Sequence, residues 1–287
     1  AACRISGMTR RDEDFVSDIY TCSTHDYLMF FTNKGKVYRI KGYEIPEGSR
    51  TSRGTNVVNI LPLEQNEKIT CVIKTSDIAA DDRYYVMVTR KGIIKRTEYN
   101  AYVNVRKSGL IAINLDEGDE LAWVKITEGH DQLILATRDG MSIRFDEQDA
   151  RAMGRTARGV KAISLEGDDQ VVGMVVAQEG KDILTVSESG LGRRTDLSEY
   201  RIQTRGGKGL RNYYCDKNGP VAGFDKVDDE NDIILITDSG IIIRIKDGTK
   251  GEQCHIPVII SKSGVTEMVY NDFYVGENCD VDIVAGC

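Results

Sequence analysis

Short apolar runs recur along the chain: Leu28-Met-Phe-Phe31, Tyr85-Val-Met-Val88, Leu133-Ile-Leu-Ala136 and Ile233-Ile-Leu-Ile236. Each is closed by turn residues ending in Gly and followed by a second run, which predicts a β-hairpin whose Gly supplies the positive φ of a three-residue turn with a bulge. Several runs, Ile241-Ile-Ile243 among them, lack the polar alternation of a half-exposed strand, so they predict strands buried on both faces. No 3.6-residue apolar period is sustained and only four prolines occur. The chain therefore reads as nearly all β.

The hairpins belong to an internal repeat. Thr32-Asn-Lys-Gly35-Lys-Val-Tyr-Arg39 recurs as Thr89-Arg-Lys-Gly92-Ile-Ile-Lys-Arg96, Thr137-Arg-Asp-Gly140-Met-Ser-Ile-Arg144, Ser187-Glu-Ser-Gly190-Leu-Gly-Arg-Arg194 and Thr237-Asp-Ser-Gly240-Ile-Ile-Ile-Arg244. The shared pattern is Ser/Thr-x-x-Gly-x-x-x-Arg, with glycines 57, 48, 50 and 50 residues apart. A second element follows at a nearly fixed offset: Arg50-Thr-Ser-Arg53-Gly54, Arg106-Lys107-Ser-Gly109, Arg155-Thr-Ala-Arg158-Gly159 and Arg205-Gly206-Gly207-Lys208-Gly209. Then come a short apolar run (Val57-Val58, Leu110-Ile-Ala-Ile113, Val160-Lys-Ala-Ile163) and an acidic stretch such as Asp116-Glu-Gly-Asp-Glu120 or Glu166-Gly-Asp-Asp169. Base and acid alternate with the period of the repeat.

Units of about 50 residues, each unable to bury its own faces, are stable when arranged radially, so a propeller-like ring is expected. The repeats fall at roughly 20–70, 71–126, 127–176, 177–226 and 227–287 of a single domain spanning 1–287, with 1–19 a remnant of a preceding repeat. After Lys246 the register is lost: Gly264 lies 24 residues beyond Gly240, and Val281-Asp-Ile-Val284 is a candidate closing strand.

Composition changes this picture little. At 40% hydrophobic and 29% charged residues the chain is globular, and no stretch approaches the ~20 consecutive apolar residues of a bilayer crossing. A cytosolic protein is expected and, since the first residue is Ala1, a fragment of a longer one. Seven scattered cysteines without a Cys-x-x-Cys pair argue against disulfides and zinc. A net charge of −7 opposes a nucleic-acid partner unless the charges are segregated.

Segregation is what the basic loops offer. Residues 151–161 hold Arg151, Arg155, Arg158 and Lys161, and residues 201–211 hold Arg201, Arg205, Lys208 and Arg211, with no acid in either. Glycines between cations let backbone N–H groups approach phosphate oxygens, while the cations release counterions. With Arg50, Arg53, Arg106 and Lys107 these form the candidate duplex-binding set. Arg39, Arg96, Arg144, Arg194 and Arg244 are either structural, pairing with a neighbouring unit, or DNA contacts. Catalytic patterns are absent. His25, His130 and His255 stand apart, Gly206-Gly-Lys-Gly209 fails the nucleotide-loop pattern, and the acidic runs lack calcium-loop spacing and read as solvated turns.

Residues 24–39 with Gly42-Tyr-Glu-Ile-Pro46 resemble the C-terminal domain of the gyrase A chain of DNA gyrase, as do Arg90–Arg96, Gly154–Val160 and Tyr200–Gly209. The resemblance implies an all-β β-pinwheel of about five to six four-stranded blades, with strand exchange between blades, that binds and wraps duplex DNA on its perimeter. It implies a bacterial, cytoplasmic, nucleoid-associated and non-catalytic module that supports ATP-dependent negative supercoiling. The implied partners are the remainder of gyrase A and the whole of gyrase B, and ATP and magnesium belong to other domains of the parent enzyme. The chain itself is expected to hold no cofactor or metal. The family's first repeat carries a Gln-Arg-Arg-Gly-Gly-(Lys/Arg)-Gly box where Ala1–Arg4 stands here, and the variant Gln203-Thr-Arg205-Gly206-Gly207-Lys208-Gly209 falls in the penultimate repeat. Two alternatives remain: the equivalent topoisomerase IV domain, with weak wrapping, and a propeller scaffold for protein partners.

Overall fold

The computed structural model describes residues 20, 22–48, 54–75, 82–229, 236–237, 240–245, 250–257, 271–275 and 280–286, with side chains described as far as 229. The chain divides into two compact units, one formed by 21–45 and 56–230, the other by 1–20, 46–55 and 231–287.

In the first unit, repeat one supplies β1 (Tyr27–Thr32), β2 (Lys36–Lys41) and β3 (Ile69–Thr75). Repeat two supplies β4 (Tyr84–Thr89), β5 (Ile93–Glu98), the two-residue β6 (Leu110–Ile111) and β7 (Leu121–Thr127). Repeat three gives β8 (Gln132–Thr137), β9 (Met141–Asp146), β10 (Val160–Lys161) and β11 (Val171–Val176). Repeat four gives β12 (Asp182–Ser187), β13 (Gly192–Asp196), β14 (Leu210–Arg211) and β15 (Val221–Val227). The division placed at 70 falls inside β3, which pairs with β1 and so belongs to repeat one.

The sheets are not the repeats. Their orders are β3-β1-β2-β6, β10-β5-β4-β7, β11-β8-β9-β14 and β13-β12-β15, so β6, β10 and β14 each complete the sheet of the preceding repeat. The fourth sheet has three strands among the described residues rather than the four expected. In repeat one, Val57–Asn59 forms a 3-10 turn instead of an exchanged strand.

The repeat motif now has its physical reasons. In each hairpin the Gly N–H donates to the carbonyl of the Ser or Thr three residues before it: Gly35 to Thr32, Gly92 to Thr89, Gly140 to Thr137 and Gly190 to Ser187, at 2.9–3.1 Å. The same Ser or Thr hydroxyl accepts the N–H of the residue after the Gly, as in Ile93 to Thr89 at 3.1 Å and Met141 to Thr137 at 3.2 Å. The glycines lie at φ of +72° to +82°. Gly140 also gives its carbonyl to Asn212 and Tyr213 N–H, at 2.8 and 3.0 Å, so the turn anchors the incoming strand of the next repeat.

Neighbouring sheets pack face to face through alternate sides of one strand. Tyr85 and Met87 of β4 bury against Met29 and Phe31 of β1, while Val86 and Val88 bury against Leu133 and Leu135 of β8. Ile134 and Ala136 then face Ile183 and Phe224. That double burial is why these strands show no polar alternation. Among described residues the helical content is 3-10 turns and one four-residue α-helix, α1 (Cys215–Asn218).

The second unit contains β16 (Ile236–Thr237), β17 (Gly240–Ile245), β18 (Lys250–Pro257), β19 (Asn271–Val275) and β20 (Asp280–Gly286). β16 and β17 pair antiparallel as the fifth hairpin, but β17 pairs with β19, and β18 with β20, in parallel. Val281–Val284 thus lies in a parallel pair rather than closing an antiparallel blade. Residues 1–19 and Ser261–Gly264 lie outside the described residues.

Candidate nucleic-acid interface

Within the four-sheet unit β3 packs beside β7, β7 beside β11 and β11 beside β15. These strands form one side of the succession of sheets, and β6, β10 and β14 hold the opposite edge. Each basic loop is the excursion that leads into one of those edge strands. In repeat three, Ala152 bridges Arg96 in parallel, the chain turns back through 153–159, and β10 returns antiparallel on β5. Ile202 on Arg144 and β14 on β9 repeat the geometry. The reversal needs a second glycine. Gly159 and Gly209 lie at φ of +101° and +76°, and a Cβ at either would collide with a strand carbonyl, of Ile94 or Ser142 respectively.

The loops dock on one another. Asn114, just after β6, donates its side-chain amide to the Thr156 carbonyl at 2.6 Å. Ser164, fifty residues on, donates its hydroxyl to the Gly206 carbonyl at 2.8 Å and its N–H to Gly207. The basic segments 106–111, 154–161 and 204–211 are thereby linked along the β6, β10 and β14 edge of three sheets. Neither Asn114 nor Ser164 stood out in the sequence, although their spacing equals the repeat.

The cations divide by what they hold. The side chains of Arg106, Arg151, Lys161, Arg201 and Arg211 are exposed and make no hydrogen bond or ion pair among the described residues. Arg158 pairs with Asp116, Lys208 with Glu166, and Lys107 loosely with Glu44 at 3.8 Å. The Arg158 guanidinium holds the Asp116 carboxyl below its ordinary range, and the Lys208 ammonium does the same to Glu166. Arg205 is half-buried and donates to the carbonyls of Asp149 and Lys161 at 2.7 and 2.9 Å, so it braces the loop. Arg155 donates to the Ala101 carbonyl at 3.5 Å, and the Gln203 N–H donates to the Arg144 carbonyl. Arg50 and Arg53 lie outside the described residues.

Four of the motif arginines serve as fasteners between or within repeats. Arg39 donates to the Val103 carbonyl and stacks on Tyr27. Arg96 reaches Glu147. Arg144 donates to Leu197 and Tyr200 carbonyls at 2.9 and 3.1 Å. Arg194 pairs with Asp182 and Asp229. For Arg244 only the backbone, in β17, is described. The acidic turns prove less solvated than expected. Asp119 is buried and accepts the Lys91 N–H at 3.0 Å, and Asp169 accepts the Asp139 N–H at 3.0 Å, so both cap a hairpin turn.

A buried amine under the linked loops was missed by sequence reasoning. Lys95 has no exposed surface, and its Nζ donates to the Ala112 carbonyl at 2.6 Å and to that of Arg155, tying loop 153–159 to the sheet below. Burial pushes its pKa down to about 8. The unfolded chain keeps that proton up to about pH 10.4, so stability gains from Lys95 deprotonation as pH rises through 8 towards 10. Above that range the buried Tyr102, pushed up to about 12, works in the opposite sense. Urea midpoints of the wild type and Lys95→Met should therefore shift relative to each other, in favour of the wild type, between pH 8 and 10. A pH-independent difference would contradict the assignment.

Among the described residues no group of His, Cys, Asp and Glu could hold a metal ion, and no helix is long and apolar enough to cross a membrane.

The chain matches the family model described as DNA gyrase C-terminal domain, beta-propeller, over residues 26–76, 83–128, 131–178, 181–228 and 231–246. The gyrase A chain of the DNA gyrase of Clostridium acetobutylicum is 52% identical over 157 residues, covering 55% of this chain and 19% of the relative. The chain thus spans about a fifth of the length of such relatives. Among solved structures, the C-terminal domain of DNA topoisomerase IV aligns with a TM-score of 0.72 at 28% identity, covering 81% of this chain and 73% of that one. A DNA gyrase A C-terminal domain aligns with a TM-score of 0.64 at 27% identity, covering 80% and 76%. Five matched segments in register with the hairpins, three of them on sheets completed by the following repeat, establish that the chain belongs to the DNA gyrase C-terminal domain family.

Proposed function

We propose that this chain binds duplex DNA through the stripe of basic loops and bends it along the edge of successive sheets, as the wrapping module of a gyrase. The observation that carries the reading is the docking of loop upon loop through Asn114 and Ser164, which gathers cations from three repeats of a net acidic chain into one surface. Contacts of this kind address phosphates and duplex deformability rather than base edges. Bending a site of 20–30 bp costs about 1–6 kcal/mol, so the contacts must act together. In this reading the chain supplies binding and not chemistry. ATP, magnesium, strand cleavage, the rest of gyrase A and the whole of gyrase B belong to the larger cytoplasmic enzyme whose negative supercoiling it supports.

Duplex affinity measured against salt tests the reading. If each of the five uncommitted cations neutralises one phosphate, log K should fall against log salt with a slope of about −4 to −5. Asp116→Asn with Glu166→Gln releases Arg158 and Lys208, so it should tighten binding at low salt and steepen the slope by up to about 2. Affinity indifferent to salt and to both substitutions would return the fold to a protein-binding scaffold. Circularising a bound duplex then separates wrapping, which traps superhelical turns of one sign, from the weak wrapping of the topoisomerase IV alternative.

A further inference from the structure

A pocket of about 80 Å³ opens between the β9–β14 edge and β13. Four arginines line it, Arg144, Arg193, Arg201 and Arg211, against one acidic residue, Glu199. Arg193 reaches the Glu199 carboxylate at only 3.4 Å; Arg201 and Arg211 make no hydrogen bond or salt bridge among the described residues, although Arg211 lies within the field of Asp139. Arg144 spends its donors on Gln132 and on main-chain carbonyls, which fixes it in the wall. Asn212 is held between the Tyr200 hydroxyl and Thr185 at 2.8 and 2.9 Å, so the lining is ordered before any ligand arrives.

Arg193 was no candidate on sequence. In the three preceding repeats its position holds Tyr38, Lys95 and Ile143, all fully buried, on strands flanked by an edge strand. β13 has no such flanking strand among the described residues, and the Arg193 guanidinium is half-exposed. Like charges gathered around a concave site repel one another unless an anion joins them, and guanidinium groups match phosphate oxygens in geometry.

We infer that this pocket is a phosphate-group site, with Arg193, Arg201 and Arg211 as its ligand-binding residues. The phosphate is either one of the duplex backbone, fixing the strand where the third sheet meets the fourth, or a free phosphate. The first source deepens the duplex-binding reading and rests on it; the second does not.

The experiment compares the wild type, the double variant Arg193→Gln/Arg211→Gln, the single variant Arg201→Gln, and Arg151→Gln as a cation outside the pocket. All carry exposed side chains, and melting curves confirm folding. Each is titrated with duplex DNA across salt and with inorganic phosphate followed by calorimetry. A backbone site predicts that the double variant loses about threefold to tenfold in duplex affinity and up to about 2 in salt slope, against about 1 for Arg151→Gln. A free-phosphate site predicts saturable phosphate binding by the wild type that both pocket variants lose, with duplex affinity little changed. Should the wild type not bind duplex at all, the DNA reading falls while the phosphate titration still decides the pocket. Pocket variants that match the wild type in both titrations, or phosphate binding by none with duplex affinity unaltered, would overturn the assignment.

Discussion

Replacing Glu147 by Ala is expected to destabilise the four-sheet unit by about 3–5 kcal/mol, the range for removing one member of a buried ion pair. The carboxylate has no exposed surface and serves three donors: the Thr127 hydroxyl at 2.6 Å, the Asp131 N–H at 2.8 Å and the Arg96 guanidinium at 3.4 Å. Arg96 sits in repeat two and Glu147 in repeat three, so one substitution strands a buried cation, a hydroxyl and an amide at the joint between two sheets. In a unit of this size the loss corresponds to a melting shift of about 6–20 °C. Glu147→Gln keeps an acceptor oxygen and should fall between the two. If Glu147→Ala melts within a degree or two of the wild type, the joint is not held by this carboxylate.

Gly140→Ala should cost about 2–4 kcal/mol, and Gly190→Ala only about 1–2. Both glycines stand at the same place in their hairpins, with φ of +82° and +77°. The backbone penalty is therefore shared, and the surroundings differ. A Cβ on Gly140 collides with the Tyr213 carbonyl and crowds Cys215 Sγ, whereas one on Gly190 meets nothing within 4 Å. The excess at Gly140 measures what it takes to push β14 and its loop off β9. Duplex affinity should fall with stability at Gly140 and hold at Gly190. Equal urea midpoints for the two variants would mean that strand exchange does not depend on the close approach.

These two positions mark how far the sequence could be read. The hairpin glycines, the doubly buried strands and the second glycine of each basic loop follow from local chemistry that repeats along the chain, and all are legible. Glu147 is not. Its partners lie 16, 20 and 51 residues away, and in a strand-to-turn segment it reads as one more solvated acid. Lys95 occupies an inner-strand position that the neighbouring repeats fill with Tyr38 and Ile143, so only its carbonyl partners explain it. The motif arginines stayed ambiguous because the groups they reach, a Val103 carbonyl in one repeat and Asp229 in another, share no spacing. Strand exchange entered through family likeness, since a two-residue strand such as Leu110–Ile111 leaves almost no pattern. The parallel pairing of β17 with β19 contradicts the antiparallel habit of every earlier repeat, and no feature of residues 247–287 announces it.

Because each of the first three sheets waits for a strand from the repeat behind it, the chain has a direction in time as well as in space. Sixty-nine residues separate the end of β2 at Lys41 from its edge partner at Leu110. At about 5–20 residues per second of ribosomal synthesis, the first sheet stays open at one side for several seconds while the second hairpin is still being made. Each of these three nascent repeats therefore leaves the ribosome with an unsatisfied edge that only its successor can close.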